Sequence, residues 1–351
     1  LRILYVSDSY PPIVNGLSYV VDNLAKSMVR LGHKVDVATI RTSGHLPRLE
    51  NVDGVRVRRF FGLSPGGSYH LPSPGILGAL RGSYDVVHVH NFHSVFPILG
   101  AMFSPKDSNS KFVVTAHYHT LGHHWHSRLA WKVQKPLLTR LLRRYSVVHC
   151  VSQFEALRVQ RDFGVRSIVI PNGVSDDVYD FKWRGGSDNV ITITYAGRME
   201  KYKRVSWVLL AAKILADEGV RVKVLLLGTG PQSARLERQA QDLRIDLSMP
   251  GYLPRREYLD SLAGSDCFAN PSSQEAFSIV SAEALAIGVP VVCVKPWGEN
   301  FSGYPRAIIV DPNPMAIAMG LKQAAATLKS PAKHVPTWAD VASELIEKAY
   351  M

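Results

Sequence analysis

Apolar residues in this chain follow two patterns. Short runs such as ILYV, VDVAT and VVHV read as strands, and stretches with apolar positions every three or four residues read as helices. ILYVSD is a strand ending in polar residues, followed by an amphipathic helix over Leu17–Leu31 that Gly32 closes. VDVATI and VRVRRF are strands. YDVVHVH, KFVVTAH and SVVHCVS are strands each followed by a helical pattern, and IVIPNGV closes the first half. The second half repeats the plan. ITITYAG precedes a helix over Val205–Glu218, and RVKVLLLG precedes one from Pro231 to about Leu243. Strand-like DLSMPGY, a helix over Arg255–Gly264, strand DCFANP, a helix over 278–287 and strand PVVCV complete it. Such alternation implies parallel sheets joined by crossover helices. The most polar, least periodic stretch, 174–189, is the expected linker. The expected domains are therefore 1–173 and 190–334, with a final amphipathic helix over 335–351. In open parallel sheets ligands bind beyond the carboxyl ends of the strands, so residues just past each strand are the first candidates for chemistry.

A length of 351 residues is comfortable for two such domains. No apolar run is long enough to span a bilayer. The opening LRILYVSDSYPP reads as a core strand and not as a signal peptide. Cys150, Cys267 and Cys293 lie in apolar, strand-like settings, as buried thiols of a reducing compartment do, so a cytoplasmic location is expected. The net charge of +12 is lopsided. Residues 1–170 carry 21 Lys and Arg against nine Asp and Glu, whereas residues 171–351 carry 20 of each. Between Asp107 and Glu155 there are basic residues and no acidic ones. Such a field attracts phosphates, anionic lipid or nucleic acid, unless it is only a solvated helix face.

The densest candidate chemistry is Glu275-AFSIVSA-Glu283, two carboxylates eight positions apart. The first lies in a loop and the second a little over two turns into a small-residue helix. The start of that helix offers free N–H groups and the positive end of a dipole, which suit phosphate. Carboxylates beside an anion site make sense if they hold sugar or ribose hydroxyls. A surface carboxylate is the plainer reading of Glu283, but its Ala-rich flanks argue for burial, and a buried lone Glu needs a partner. Upstream, Tyr195-Ala-Gly197-Arg198 ends a strand and Lys203 follows. Arg can fork onto phosphate oxygens and Lys adds a mobile point charge, so the two suit a phosphate ligand. Surface ion pairing is the alternative.

Together these residues resemble the E-x7-E signature of retaining nucleotide-sugar glycosyltransferases of family 4. The resemblance runs from about residue 2 to 350 and is densest over 190–293. It implies the GT-B fold: two facing Rossmann-like α/β domains with a ligand cleft between them and a C-terminal helix crossing back over the first domain. It implies that Arg198 and Lys203 grip the donor diphosphate, Glu275 binds donor-sugar hydroxyls and Glu283 holds the ribose diol. Gly197, Gly228 and Gly230 would lie near the nucleotide, and Tyr252 and Leu253 would line the base pocket. Backbone amides of Ser278, Ile279 and Val280 would meet phosphate or sugar, with Ser278 standing where the family has Gly. Tyr10-PPIVNGLSYVV resembles the family's glycine loop, with Asn15-Gly16 in place of two glycines. Asn tolerates positive φ, so the turn is expected to survive, with Gly16 approaching the donor. The G-x-G-x-x-G of nucleotide-cofactor dehydrogenases is absent from this loop.

Thr115-AHYHTLGHHWH holds His117, His119, His123, His124 and His126. By the family's T-x-H, His117 contacts the transferred sugar. No Cys or carboxylate nearby supports a metal site, and no D-x-D clamp occurs. The following RLAWKVQKPLLTRLLRRY interleaves apolar residues with Arg128, Lys132, Lys135, Arg140, Arg143 and Arg144. This suits a helix lying on anionic membrane, or one packed on the sheet with a basic outer face. With His119, these residues are the expected acceptor and membrane contacts.

The expectation is thus a retaining, metal-independent glycosyltransferase using a UDP- or GDP-sugar and needing no cofactor. Its acceptor is expected to be lipid-linked or anionic, met at the inner face of the cell membrane, with no nucleic-acid partner. The acceptor attacks from the leaving-group face, and the departing phosphate oxygen takes its proton. Alternatives are a soluble-acceptor transferase or sugar phosphorylase on the same fold, and a non-catalytic sugar-nucleotide or polyanion binder.

Overall fold

The computed structural model describes residues 1–66, 69–103, 110–119, 125–185, 190–326 and 333–351. For 64–66, 69, 70 and 125–130 it describes the backbone. In chain order the elements begin β1 (Arg2–Val6), α1 (Gly16–Arg30), β2 (Lys34–Arg41), β3 (Leu49–Val52), β4 (Val55–Gly66) and β5 (Tyr69–Pro72). Next are α2 (Ile76–Leu80), β6 (Val86–His90), α3 (Phe96–Phe103), β7 (Lys111–Thr115), α4 (Trp125–Leu141), β8 (Val147–Cys150), α5 (Gln153–Phe163) and β9 (Ile168–Val169). The second series is β10 (Ile191–Ala196), α6 (Ser206–Asp217), β11 (Val222–Leu227), α7 (Ser233–Leu243), β12 (Asp246–Gly251) and α8 (Arg255–Ala263). It continues with β13 (Cys267–Asn270), α9 (Ile279–Ile287), β14 (Val291–Val294), β15 (Ala307–Val310) and α10 (Pro314–Ala325), and the chain ends in α11 (Trp338–Leu345).

Two compact units result. The first comprises Leu1–Gly173 with Pro336–Met351, the second Val174–Val335. The first sheet has the order β3-β4-β2-β1-β6-β7-β8-β9, with β5 pairing β4. Its strands run parallel except β3 and β5, which are antiparallel to β4. The second sheet, β12-β11-β10-β13-β14-β15, is parallel throughout. Both are Rossmann-like. Central strands β1, β6, β13 and β14 are apolar-rich and largely buried because helices cover both sheet faces. Strand order reverses between β1 and β6 in the first sheet and between β10 and β13 in the second. In sheets of this kind, ligands bind at the carboxyl ends of these strand pairs.

Local signals explain most boundaries. Gly32, at φ +87°, follows the cap of α1, and Gly164 and Gly288 end α5 and α9 in left-handed conformations. At the start of α1 the structure corrects the expected turn. Asn15 is extended, at φ −154°, and its side chain caps the helix by accepting from Ser18 N at 2.8 Å. The segment read as a linker also differs: its described part is packed into the second unit. Asp176–Asp180 forms a 3₁₀ turn, Trp183 N donates to Ile287 O at 3.0 Å, and Trp183 Nε1 donates to Ser265 O at 2.8 Å. Its polarity hid Val178 and Trp183, the residues that anchor it.

β15 and α10 lie in a stretch to which the hydrophobic pattern assigned no element. β15 is a four-residue edge strand, too short for a pattern. α10 carries a readable start, Asn313 capping with Pro314 in the first turn. α11 begins with a capping box, Thr337 and Asp340 bonding each other's backbone amide. Within the first unit, Trp338 packs edge-on against Tyr19 of α1, and Tyr350 reaches the sheet beneath.

Candidate active site

In the second unit the residues beyond β10 and β13 meet. Ala196 ends β10; Gly197, at φ +141°, turns the chain, and Arg198 and the Lys201–Lys203 turn follow. Beyond β13, Asn270 leads into the loop that carries Glu275. The two loops are stitched together: Ser273 donates to Tyr202 O through its N–H at 2.8 Å and its hydroxyl at 2.9 Å. Across that seam Lys203 Nζ lies 2.6 Å from Glu275 Oε1, both side chains less than one-fifth exposed. Burial works against the Lys203 charge, but Glu275 and Tyr202 outweigh it and hold the ammonium above its ordinary pKa. A part-buried ion pair at the sheet's switch point can offer both a cation to phosphate and a carboxylate to hydroxyls.

Arg198 is placed differently. Its side chain is 65% exposed and pairs with Glu200 at 2.8 Å, so it shares the loop with Lys203 without joining the pair.

Glu283 is buried on α9, and the structure supplies the partner its burial requires. Oε1 accepts from Arg255 Nη1 at 2.6 Å and Oε2 accepts from Tyr258 OH at 2.7 Å. Arg255 also forks onto Asp177, with Nε and Nη2 each 2.9 Å from a carboxylate oxygen. Sequence reading missed Arg255, Tyr258 and Asp177 as members of this group. Arg255 and Tyr258 sit three residues apart on α8, on one helix face, and that spacing was legible. Their aim at Glu283 was not.

Ser278 caps α9: its hydroxyl accepts from Ser281 N and from Asn270 Nδ2 at 2.9 Å. The hydroxyl is therefore turned into the protein, and Ile279 and Val280 supply the first-turn amides that no helical carbonyl can satisfy. Gly228 and Gly230 have a structural reason to be glycine. A Cβ on Gly228 would meet Gly197 O at 2.4 Å, and one on Gly230 would meet Met199 N at 2.6 Å, so they let two strand-end turns nest. A Cβ on Gly16 would meet nothing within 4 Å, which leaves open space at that helix start. Tyr252 is 74% exposed and Leu253 half-buried beyond β12. A groove of about 590 Å³ lies elsewhere, between α6 and α7, and none of these motif residues line it.

In the first unit, the carboxyl ends of β1, β6 and β7 carry Asp8, Asn91 and His117. Asn91 Nδ2 donates to Asp8 at 3.2 Å, and burial raises the Asp8 carboxyl to about 7 against that hydrogen bond. Sequence reading passed over Asp8 and Asn91, although both stand just past apolar strands. His117 is half-buried and left-handed, at φ +43°, a conformation an ordinary residue keeps only when its surroundings hold it. The next amide, Tyr118 N, donates to the buried carboxylate of Glu155, whose other oxygen accepts from Val151 N at 2.6 Å.

Behind His117 runs a chain of buried hydrogen bonds whose direction one carbonyl dictates. His149 Nε2 lies 2.8 Å from Ile170 O and must donate to it, so its Nδ1 accepts from the Thr115 hydroxyl at 2.8 Å. Thr115 Oγ1 then accepts from His88 Nε2 at 2.6 Å, His88 Nδ1 accepts from Tyr350 OH at 2.6 Å, and Tyr350 accepts from Tyr5 OH at 3.2 Å. Every link is satisfied only if both imidazoles are neutral. Burial lowers both accordingly, His149 to about 4 and His88 well below the usual range.

His119 N lies 3.4 Å from His93 Nε2, and the two rings stack. His123 and His124 lie outside the described residues, as do the side chains of His126 and Arg128. Among the described residues no group of three His, Cys, Asp or Glu is arranged to hold a metal ion. On α4, Lys132 and Arg140 are exposed beside Val133 at 76% and Leu137 at 46%, with Arg143 and Arg144 exposed just beyond. Lys135 departs from that face: its ammonium sits 5.3 Å above the Phe163 ring. Arg144 Nη1 also donates to Ala101 O at 3.0 Å, closing the end of α3. No helix among the described residues is long and apolar enough to cross a membrane.

Two family models together span this chain. The one described as Glycosyltransferase Family 4 matches residues 14–178, and the one described as Glycosyl transferases group 1 matches 180–331. The chain belongs to glycosyltransferase family 4. This glycosyltransferase is 26% identical over 309 residues to the GDP-mannose-dependent alpha-(1-6)-phosphatidylinositol dimannoside mannosyltransferase of Mycobacterium tuberculosis. That match covers 83% of this chain and 79% of the relative. It is 27% identical over 332 residues to the D-inositol 3-phosphate glycosyltransferase of Saccharomonospora viridis, covering 81% and 74%. Sucrose-phosphate synthase from Thermosynechococcus elongatus superposes with a TM-score of 0.75 at 18% identity, over 99% of this chain and 94% of that one. The fold is thereby GT-B.

Proposed function

We propose that this glycosyltransferase is retaining and metal-independent, and that it moves a sugar from a UDP- or GDP-sugar to a phosphate-bearing, lipid-linked acceptor. The observation that carries the reading is the part-buried Lys203–Glu275 pair at the switch point of the second sheet. Lys203, with Arg198, neutralises the diphosphate, and Glu275 holds the sugar hydroxyls. Charge growing on the leaving phosphate meets the two cations of this loop. Glu283 anchors the ribose. His117 contacts the transferred sugar.

In the reaction the bond from the anomeric carbon to the β-phosphate oxygen breaks. A bond to the acceptor hydroxyl oxygen forms on the same face, and the hydroxyl proton passes to the departing phosphate oxygen. Lys203 and Arg198 supply the positive charge, so no divalent cation is required. Two observations support an anionic lipid-linked acceptor. The exposed face of α4 sets Val133 and Leu137 beside Lys132 and Arg140, with Arg143 just beyond its end, as an interfacial helix does. Of the two relatives named, one is a phosphatidylinositol dimannoside mannosyltransferase, which supports the lipid, and the other a D-inositol 3-phosphate glycosyltransferase, which supports the phosphate alone.

Thermal shift with UDP, GDP, ADP and their sugars, in EDTA, tests the donor site. A shift by one nucleotide that survives EDTA is expected; none from any would sink the donor assignment. Anomeric NMR of the product distinguishes retention from inversion. Dependence of turnover on free phosphate would point to a phosphorylase instead. Salt-sensitive co-sedimentation with phosphatidylinositol-containing vesicles, lost in Lys132→Glu/Arg140→Glu/Arg143→Glu, tests the acceptor surface.

A further inference from the structure

His90 ends β6 beside His117, and it is fully buried. The two rings stack with centroids 5.5 Å apart, and His90 Nδ1 lies 3.3 Å from His117 Nε2. The other His90 nitrogen, Nε2, is buried without a hydrogen-bond partner among the described residues. Its ring is packed against His88, stacked at 4.3 Å, and against the edge of Tyr5 at 5.5 Å.

An orphaned buried nitrogen calls for an account. Burial and the neighbouring histidines push both rings down, His117 to about 3 and His90 well below its usual range, so both are neutral near pH 7. Each ring then carries one proton, and the contact between them holds one. If His117 Nε2–H donated, the His90 proton would sit on Nε2, a buried N–H facing no acceptor. If His90 Nδ1–H donates, Nε2 is a bare lone pair against aromatic rings. Protein interiors tolerate an unpaired acceptor more readily than an unpaired N–H. The second arrangement leaves the His117 proton on Nδ1, the nitrogen that has no partner among the described residues.

We propose that His90 is a positioning residue that fixes His117 as its Nδ1–H tautomer, so that His117 meets the ligand as a hydrogen-bond donor and never as a base. The Glu155 carboxylate completes the arrangement by holding Tyr118 N–H, and with it the left-handed turn that aims the ring. The lone pair on His117 Nε2 is spent on His90. His117 therefore has no nitrogen left to take the acceptor's proton, in keeping with transfer to the departing phosphate oxygen. The catalytic part of this inference rests on the reading of His117 as a sugar contact; the tautomer does not.

The test uses the full chain with ¹⁵N-labelled histidine rings, assigned with His117→Asn. Long-range ¹H–¹⁵N correlation is expected to place the His117 proton on Nδ1; a proton on Nε2 overturns the proposal. His90→Asn, whose amide N–H replaces Nδ1–H, should keep that tautomer, and His90→Leu should lose it. With GDP-mannose or UDP-glucose, whichever the nucleotide panel selects, kcat should fall about tenfold in His90→Leu and recover in His90→Asn, with donor KM unchanged. If the proton is on Nδ1 but kcat is untouched in His90→Leu, the positioning role fails and so does the sugar contact assigned to His117. If donor KM and kcat worsen together in both variants, His90 is only structural.

Discussion

Around the switch points of their sheets, the two units bury polar groups in opposite ways. The second does it with charge: Lys203 with Glu275, and Arg255 between Glu283 and Asp177. The first does it along β6–β8 with neutral rings, and keeps its charge pairs, Arg59 with Glu50 and Arg56 with Asp36, to β2, β3 and β4. It holds 12 of the 13 histidines, and His88 and His149 are joined in a directed chain that has no room for an extra proton. Fixed charges suit a diphosphate, whose own charge does not change sign during transfer. Neutral, oriented donors suit hydroxyls, which need direction more than field. The same backbone plan thus carries two electrostatic designs.

Four perturbations separate them, and the largest effect should come from Lys203→Ala. It removes the cation and leaves Glu275 buried, so kcat/KM should fall about 10³-fold. Circular dichroism should confirm that the fold is kept; a loss under tenfold would take Lys203 out of the chemistry. Next is Arg255→Ala. It removes the cation that faces the buried Glu283 carboxylate, leaving Tyr258 OH on the other oxygen, and should destabilise the second unit by about 3 kcal/mol in urea. Arg255→Lys should recover part of this, and nucleotide binding should weaken in both. Equal stability of Arg255→Ala and the parent would show the pair to be dispensable.

The third perturbation is pH. His88, His90, His117 and His149 have folded pKa values below the unfolded 6.5, so on acidification the unfolded chain takes up their protons first. Asp8 and Glu155 oppose this, because burial raises both to about 7 and the folded chain protonates them first. Four sites outnumber two, so between about pH 6.5 and 5 the unfolded state binds more protons and stability falls with pH. The loss should be about 3 kcal/mol and confined to the first unit. Hydrogen exchange corrected for intrinsic rates should show β6–β8 peptides losing protection while β10–β14 peptides keep it. The smallest effect is expected from Thr337→Ala, which removes half of the capping box of α11 and should cost about 1 kcal/mol. That loss should appear in the first unit's transition alone, because α11 packs on α1.

Much of the architecture was legible as pattern. β10 and β13 announced themselves by apolar runs ending in Gly197-Arg198 and in the acidic loop, because a strand buried on both faces cannot be polar. β15 escaped because an edge strand of four residues carries too little periodicity, whereas the start of α10 was legible in Asn313-Pro314 and was passed over. The packed segment 174–185 was misread as a linker because two apolar anchors, Val178 and Trp183, were outweighed by polar neighbours.

Sequence alone determined the alternation of strands and helices, the membership of family 4, and the candidate charges Arg198, Lys203, Glu275 and Glu283. These depend on residue type and on spacing along the chain. Only the tertiary structure decided which of those charges pair, that Arg255 and Tyr258 hold Glu283, and that Arg198 turns instead to Glu200. It also decided that Asn15 caps a helix and does not make a left-handed turn. The histidine chain shows why. His88, Thr115 and His149 lie on three different strands, and Tyr350 lies at the far end of the chain. A hydrogen bond requires its atoms within about 3 Å, and only the parallel register of the sheet brings them there.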